Sequence, residues 1–239
     1  MIPLSIEETF QFSCSEQVSC YNECCRDLNQ FLTPYDILRL KQRLSLPSYI
    51  FLERYTLQHI GPEIGLPVIT LKPDHSQHLK CPFVTAAGCS VYKDRPASCR
   101  TYPLVRMASR ARETGKISEQ YFLLKEPHCL GFNQGRTQTV RQWIKDQGVM
   151  VYNQMNDLLL EIIGLKNRLM PGRLDIKSKF LFNMACYDLD TFRTHIFHKG
   201  ILNNYNMGPN ALNKVKQDDV ELLKLGFNWI KDTLFKSGT

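Results

Sequence analysis

The chemistry-bearing residues of this 239-residue chain are its cysteines, nine in all, eight of them between positions 14 and 129. The first group reads Cys14-x5-Cys20-x3-Cys24-Cys25. The second reads Cys81-x7-Cys89-x9-Cys99, with Cys129 downstream and Cys186 isolated in the C-terminal half. Clustered cysteines form disulfides in oxidising compartments and ligate metals in reducing ones. An odd count forbids complete pairing within one chain. The first residues, Met1-Ile2-Pro3-Leu4-Ser5-Ile6-Glu7-Glu8, lack the basic and apolar regions of a secretory signal. The chain therefore reads as cytoplasmic and its clustered cysteines as metal ligands.

The adjacent pair Cys24-Cys25 narrows the chemistry. Neighbouring side chains point about 100° apart on a helix and to opposite faces of a strand. Two adjacent thiolates are poorly placed to share one tetrahedral ion and better placed to reach two metals, or two edges of a polynuclear cluster. Neither group contains the C-x2-C knuckle of common zinc fingers, and a radical-SAM C-x3-C-x2-C spacing fails because Asp27 occupies its third position. Eight thiolates without an obligatory histidine are soft donors that zinc and iron–sulfur centres both accept. They also match two four-thiolate centres. The irregular spacing and the adjacent pair favour iron–sulfur, of the [4Fe-4S] type, with zinc as the alternative. Cys186, within Phe182-Asn183-Met184-Ala185-Cys186, reads as a buried structural thiol.

Several of these residues stand in recognisable surroundings: Cys20-x3-Cys24-Cys25, Leu32-Thr33-Pro34-Tyr35-Asp36-Ile37, Cys81-Pro82-Phe83, Gly88-Cys89-Ser90-Val91-Tyr92, and Arg95-Pro96-x2-Cys99-Arg100-x-Tyr102-Pro103. Together they resemble the YkgJ-type cysteine-cluster family over roughly residues 10–150. The resemblance implies a zinc- or iron-chelating domain related to the cysteine region of flagellin lysine-N-methylase, which carries a [4Fe-4S] cluster. It carries over to Cys20, Cys24, Cys25, Cys81, Cys89 and Cys99 as metal ligands, and clustering adds Cys14 and Cys129 to the expected set. The first spacing is wider than the family's usual one, and Tyr21-Asn22-Glu23 stands where a glycine is common.

Other residues near the cysteines carry two readings each. Arg95, Arg100, Arg106, Arg110 and Arg112 form either a solvated basic face or, at Arg100, a cation that neutralises the thiolates or grips an anionic cofactor. Asp94-Arg95-Pro96 reads as a turn. His128 adjoins Cys129 and could replace a thiolate. His75 and His78 fall in a polar loop, while His59, His195 and His198 have no partner spacing.

The formal charge of +7 invites a nucleic-acid reading, but two cubanes held by thiolates would bring it to about +3. No apolar run approaches the ~18 residues of a membrane span. There is no phosphate-binding glycine loop, nucleophile elbow or H-E-x-x-H pair. Three functions stay open: an iron–sulfur enzyme, either an S-adenosylmethionine-using methyltransferase-like protein or an oxidoreductase; an electron-transfer module acting through a protein partner or on a protein substrate; and a zinc-stabilised interaction protein.

The elements that must position these groups are mostly helical. Hydrophobic residues at 43% and charged residues at 22% describe an ordinary globular chain. Thr33-Pro34-Tyr35-Asp36 predicts a capped helix start, and Pro47 ends that helix, with Ser48 able to cap another. Pro67–Leu71 reads as a strand, and residues 102–109 and 119–125 as a hairpin. Helices are expected from about Thr139, over 149–169, over 174–198 and from about Asp218. The expected fold is mostly α with a small β component: an irregular metal-stabilised cysteine region, 1–138, covered by a helical region, 139–239.

Overall fold

The computed structural model describes residues 1–202 and 207–235. Residues 203–206 lie outside them. The fold is mixed α/β, 46% helical and 20% strand, so strands are more abundant than expected. None of the described helices is long and apolar enough to cross a membrane.

The chain forms two compact units, each assembled from two stretches: residues 1–30 with 71–157, and residues 31–70 with 158–239. Every clustered cysteine lies in the first unit. The stretch 31–70 holds no cysteine and groups with the C-terminal helices, because packing follows apolar faces rather than cysteine density.

The first unit is built on short antiparallel sheets. The expected hairpin is Leu104–Arg110 with Ile117–Leu123, and Ile2–Leu4 adds a third strand to its edge. Thr9–Phe12 pairs with Phe132–Thr139, in a register that slips between Phe132 and Thr137. This second strand occupies what the sequence presents as a short connector. Its partner is more than a hundred residues away, so no local signal announces it. Phe10 and Phe12 alternate inward from Thr9–Phe12 and meet Leu104, Tyr121, Leu123, Val140, Ile144 and Val149 in one core. Trp143 sets its ring edge-on to Phe10 and Phe12, 5.8 Å away in each case. Helix Val140–Asp146 presents Trp143 because Thr139 and Gln142 close a capping box at its start.

In the second unit, helix Pro34–Arg43 begins with the expected capping box of Thr33 and Asp36. Ser48 is not a cap. Pro47 stands at the cap position of helix Ser48–Tyr55, and the Ser48 amide and hydroxyl donate to Asp190 at 2.6 and 2.8 Å. The segment expected as one helix over 174–198 is two, Ile176–Cys186 and Leu189–Lys199. The chain leaves helical geometry at Tyr187, and Asp188 caps the second helix by accepting from the Thr191 amide. Helix Asp219–Leu234 starts where expected, is capped by Asp218, and buries Leu223, Phe227 and Ile230. Gly226 lets this helix approach the next closely, since a Cβ there would sit 2.2 Å from the Ala185 carbonyl oxygen.

A buried ionic knot ties this unit together. The Lys41 ammonium, its side chain 7% exposed, lies 3.0 Å from Asp219 and 3.3 Å from Asp190, and Arg193 also pairs with Asp219. Burial alone would raise the Asp190 carboxyl, but the Ser48 donors and Lys41 together hold it below the usual carboxylate range. Its contribution to stability is therefore complete above the ordinary aspartate pKa and is lost as pH falls through the lower folded value. Lys41→Ala should cost about 3 kcal/mol, because Asp190 would lose its cation while Asp219 kept only Arg193. Urea unfolding followed at neutral and acidic pH checks both points. The wild type should lose stability on acidification, and Lys41→Ala should narrow that difference.

Candidate metal centre

The first cysteine segment is a series of tight turns. The amides of Val18, Tyr21, Glu23 and Cys25 each donate to the carbonyl three residues back, and Glu23–Cys25 is a single 3-10 turn. Asn22 enters it with φ 70, in the left-handed region that asparagine tolerates better than most residues. Val18 is buried and pins the coil. One shallow cavity results, lined by Cys14, Cys20, Cys24 and Cys129 and floored by Phe12, Val18 and Tyr102.

Cys129 reaches that cavity from the opposite end of the unit. The Ser13 amide donates to the Gly131 carbonyl at 3.0 Å. The approach is close enough that a Cβ on Gly131 would lie 2.5 Å from the Ser13 carbonyl oxygen. The Leu130 amide donates to Cys20 Sγ at 3.1 Å. Cys129 also packs on the aromatic core beside Tyr102. Burial, followed by the neighbouring Cys129, pushes the Tyr102 phenol well above its ordinary value.

The second segment approaches from the other side of the turn. The Cys81 amide donates to the Cys25 carbonyl at 2.8 Å, and the Asp27 amide to the Leu79 carbonyl at 3.0 Å. Cys89 sits on the short hairpin Val84–Thr85 with Gly88–Cys89, opposite Val84. Gly88 has φ +104, and a Cβ there would strike the Tyr21 hydroxyl at 2.3 Å. Glycine is therefore required where the two cysteine segments meet. Cys99 lies on helix Ala97–Thr101, and its thiol donates to Gln30 Oε1 at 3.4 Å. The same buried Gln30 donates through Nε2 to Ser98 Oγ at 2.5 Å.

The thiols influence one another. Desolvation raises Cys14 to about 11, with Cys24, Cys20 and Cys129 adding to the effect. Desolvation likewise raises Cys81 to about 11 and lifts Cys89. Cys24 is lowered to about 7, chiefly because the Cys25 thiol donates to it, and Cys25 is raised by the same bond. All nine cysteines are free thiols. Among the described residues, no group of three or more Cys, His, Asp or Glu side chains is drawn tightly enough to hold a metal ion as it stands. The donor set nevertheless fits a soft metal, since four sulfurs line one cavity and the neighbouring polar atoms supply donors to them.

The basic residues sort differently from the sequence reading. Arg100 turns its guanidinium to the Gln147 carbonyl at 2.7 Å and the Lys93 carbonyl, and lies over the Tyr152 ring. Arg95 is the buried cation, at 8% exposure. It donates to the Tyr92 carbonyl at 2.7 Å and to Gln147 Oε1, and stands close enough to Cys89 and Cys99 to feel their charge. Reading Arg95 as a turn residue missed this role, as it missed Gln30. Arg106 is committed to Asp157 and Glu119, whereas Arg110 and Arg112 are exposed. His128 borders the first cavity but is exposed, 3.6 Å from Glu126. His75 and His78 are exposed, and Cys186 is fully buried.

A family model described as "CxxCxxCC: Putative zinc- or iron-chelating domain" matches residues 13–130, the stretch that holds all eight clustered cysteines. No curated protein and no solved structure matches the chain.

In the metal-free protein, Cys24 should react with iodoacetamide ahead of Cys14 and Cys81, with a rate that rises through about pH 7. Cys25→Ala removes the donated hydrogen bond and should move that rise to higher pH. Mass-spectrometric mapping of alkylation against pH checks it. An unchanged Cys24 profile would show that the adjacent thiol does not lower it.

Proposed function

We propose, from the match of residues 13–130 to the zinc- or iron-chelating family model, that the chain is a cytoplasmic iron–sulfur protein of the [4Fe-4S] type. Its ligands are Cys14, Cys20, Cys24, Cys25, Cys81, Cys89, Cys99 and Cys129. The observation that carries this reading is a cavity lined by four free thiols, Cys14, Cys20, Cys24 and Cys129, with Cys81 bonded through its amide to the neighbouring Cys25. Unligated, such an arrangement is unfavourable. Raised thiols lose protons with difficulty, and if ionised they would repel one another at close quarters. A soft cation removes both difficulties at once.

An iron–sulfur centre, when bound, supplies one-electron chemistry whose potential depends on net charge, hydrogen bonds to sulfur and solvent exposure. The chain's own residues address all three. Leu130 donates to the Cys20 sulfur, Arg95 brings a buried positive charge near Cys89 and Cys99, and the Phe12–Tyr102–Phe132 aromatic contacts back Cys129. The first cavity is shallow and its cysteines are partly exposed, which suits exchange of electrons or a methyl group with a protein partner better than capture of a buried small molecule. The same metal would organise the cysteine segments, whose sheets are short.

Anaerobically purified protein should be brown and contain iron with acid-labile sulfide, and its visible absorption should bleach on reduction. Colourless protein holding zinc in place of iron would overturn the iron–sulfur assignment in favour of a structural zinc module. Addition of S-adenosylmethionine to the reduced protein tests the transfer branch. A perturbed electron paramagnetic resonance signal supports it, and an unchanged signal leaves electron transfer as the function.

A further inference from the structure

Gln30 is buried, at 7% exposure, between neighbours Asn29 and Phe31 that are exposed. Its carbonyl accepts from the Leu71 amide at 2.8 Å, which fixes the backbone. Its side chain borders a small cavity with Leu28, Leu71, Pro73, Leu79 and Cys81. In such apolar surroundings both ends of a carboxamide need partners, and helix Ala97–Thr101 supplies one from each of two consecutive residues. Nε2 donates to Ser98 Oγ at 2.5 Å, and Oε1 accepts from the Cys99 thiol at 3.4 Å. Ser98 and Cys99 are themselves exposed, so Gln30 reaches them from beneath. The carboxamide thus touches a clustered cysteine without being able to replace it as a soft ligand.

We propose that Gln30 is a positioning residue for the metal centre: its carboxamide turns over when Cys99 takes metal and then donates to the ligating sulfur. This rests on Cys99 being a ligand, as proposed above, and assigns a role to a side chain outside the ligand set. In the metal-free protein the sulfur carries a hydrogen and the amide oxygen accepts it. Ligation breaks the S–H bond, forms a sulfur–metal bond and releases the proton to solvent, to which Cys99 is exposed. The sulfur is then an acceptor only, and an amide oxygen facing it would set lone pairs against negative charge. A half-turn about the last side-chain torsion exchanges the oxygen and nitrogen in place. Nε2 then donates to the Cys99 sulfur. The Ser98 hydroxyl, which can give or take a hydrogen bond, rotates to donate to Oε1. Both bonds survive with their directions reversed. Hydrogen bonds of this kind orient metal ligands and tune the metal they hold.

The Co2+ affinity of the reduced full chain, read from sulfur-to-cobalt absorption under chelator competition, separates this role from a structural one. Gln30→Glu keeps acceptors for the Cys99 thiol and the Ser98 hydroxyl but cannot donate to sulfur. It should bind cobalt about ten- to a hundredfold more weakly than wild type, with its absorption band moved to longer wavelength. Gln30→Leu, which lacks both groups, should weaken binding too, but no more than Gln30→Glu. A structural prop predicts the reverse order, with Gln30→Glu close to wild type. In a Cys99→Ala background, Gln30→Glu should change affinity by less than about twofold, because the sulfur it addresses is gone. Wild-type affinity in Gln30→Glu, or an equal loss with Cys99 absent, overturns the proposal and leaves metal binding standing. Should the variants misfold, wild type loaded with Cd2+ answers alone. Nuclear magnetic resonance should then show the Gln30 side-chain amide protons coupled to cadmium through the Cys99 sulfur, and lack of that coupling overturns the proposal. A wild type that binds neither metal removes the metal reading and this proposal with it.

Discussion

The Cys24 and Cys25 thiols are hydrogen-bonded to each other, and the first unit closes around that adjacent pair. Cys24 and Cys25 sit on one 3-10 turn, so the sulfurs that accompany them must arrive from different parts of the chain. Cys129 comes in along the Ser13–Gly131 contact, and Cys81 along its amide bond to Cys25. Both approaches need backbone nearer than a side chain allows. For that reason Gly131 faces the Ser13 carbonyl and Gly88 the Tyr21 hydroxyl. The aromatic core under Cys129 holds the far wall in place, and Gln30 bridges to Ser98 and Cys99 on the other side.

The electrostatics follow from the same crowding. Thiols removed from water resist ionisation, as Cys14 and Cys81 do at about 11, and a thiolate beside others is costlier still. The Arg95 guanidinium opposes that cost beside Cys89 and Cys99. Arg95 can be spared to stand near the cysteines because its hydrogen bonds go to Tyr92 and Gln147, neutral groups that leave its charge uncancelled.

What the sequence disclosed were features whose physics is local. The cap at Thr33, the helix starts near Thr139 and Asp218, the hairpin and the cysteine list all lie in short windows. What it concealed depends on distant partners. The strand Phe132–Thr139 exists because Thr9–Phe12 pairs with it, and the break at Tyr187-Asp188 hides inside an apolar pattern that runs through both helices. Arg95 and Arg100 look alike in sequence. Only the positions of Gln147, Lys93 and Tyr152 decide that the first faces thiols and the second faces carbonyls. Residues 31–70, free of cysteine, group with the C-terminal helices through apolar faces that cysteine spacing does not reveal.

The account rests on metal as the organiser of the cysteine segments, while the second unit relies on its own core and the Lys41 knot. Hydrogen exchange read by mass spectrometry, on metal-loaded protein and on the same protein after chelation, tests this most directly. Removal of metal should strip protection from residues 13–30 and 79–130 while leaving helices Pro34–Arg43 and Asp219–Leu234 as protected as before. Equal protection of the cysteine segments in both states would contradict it.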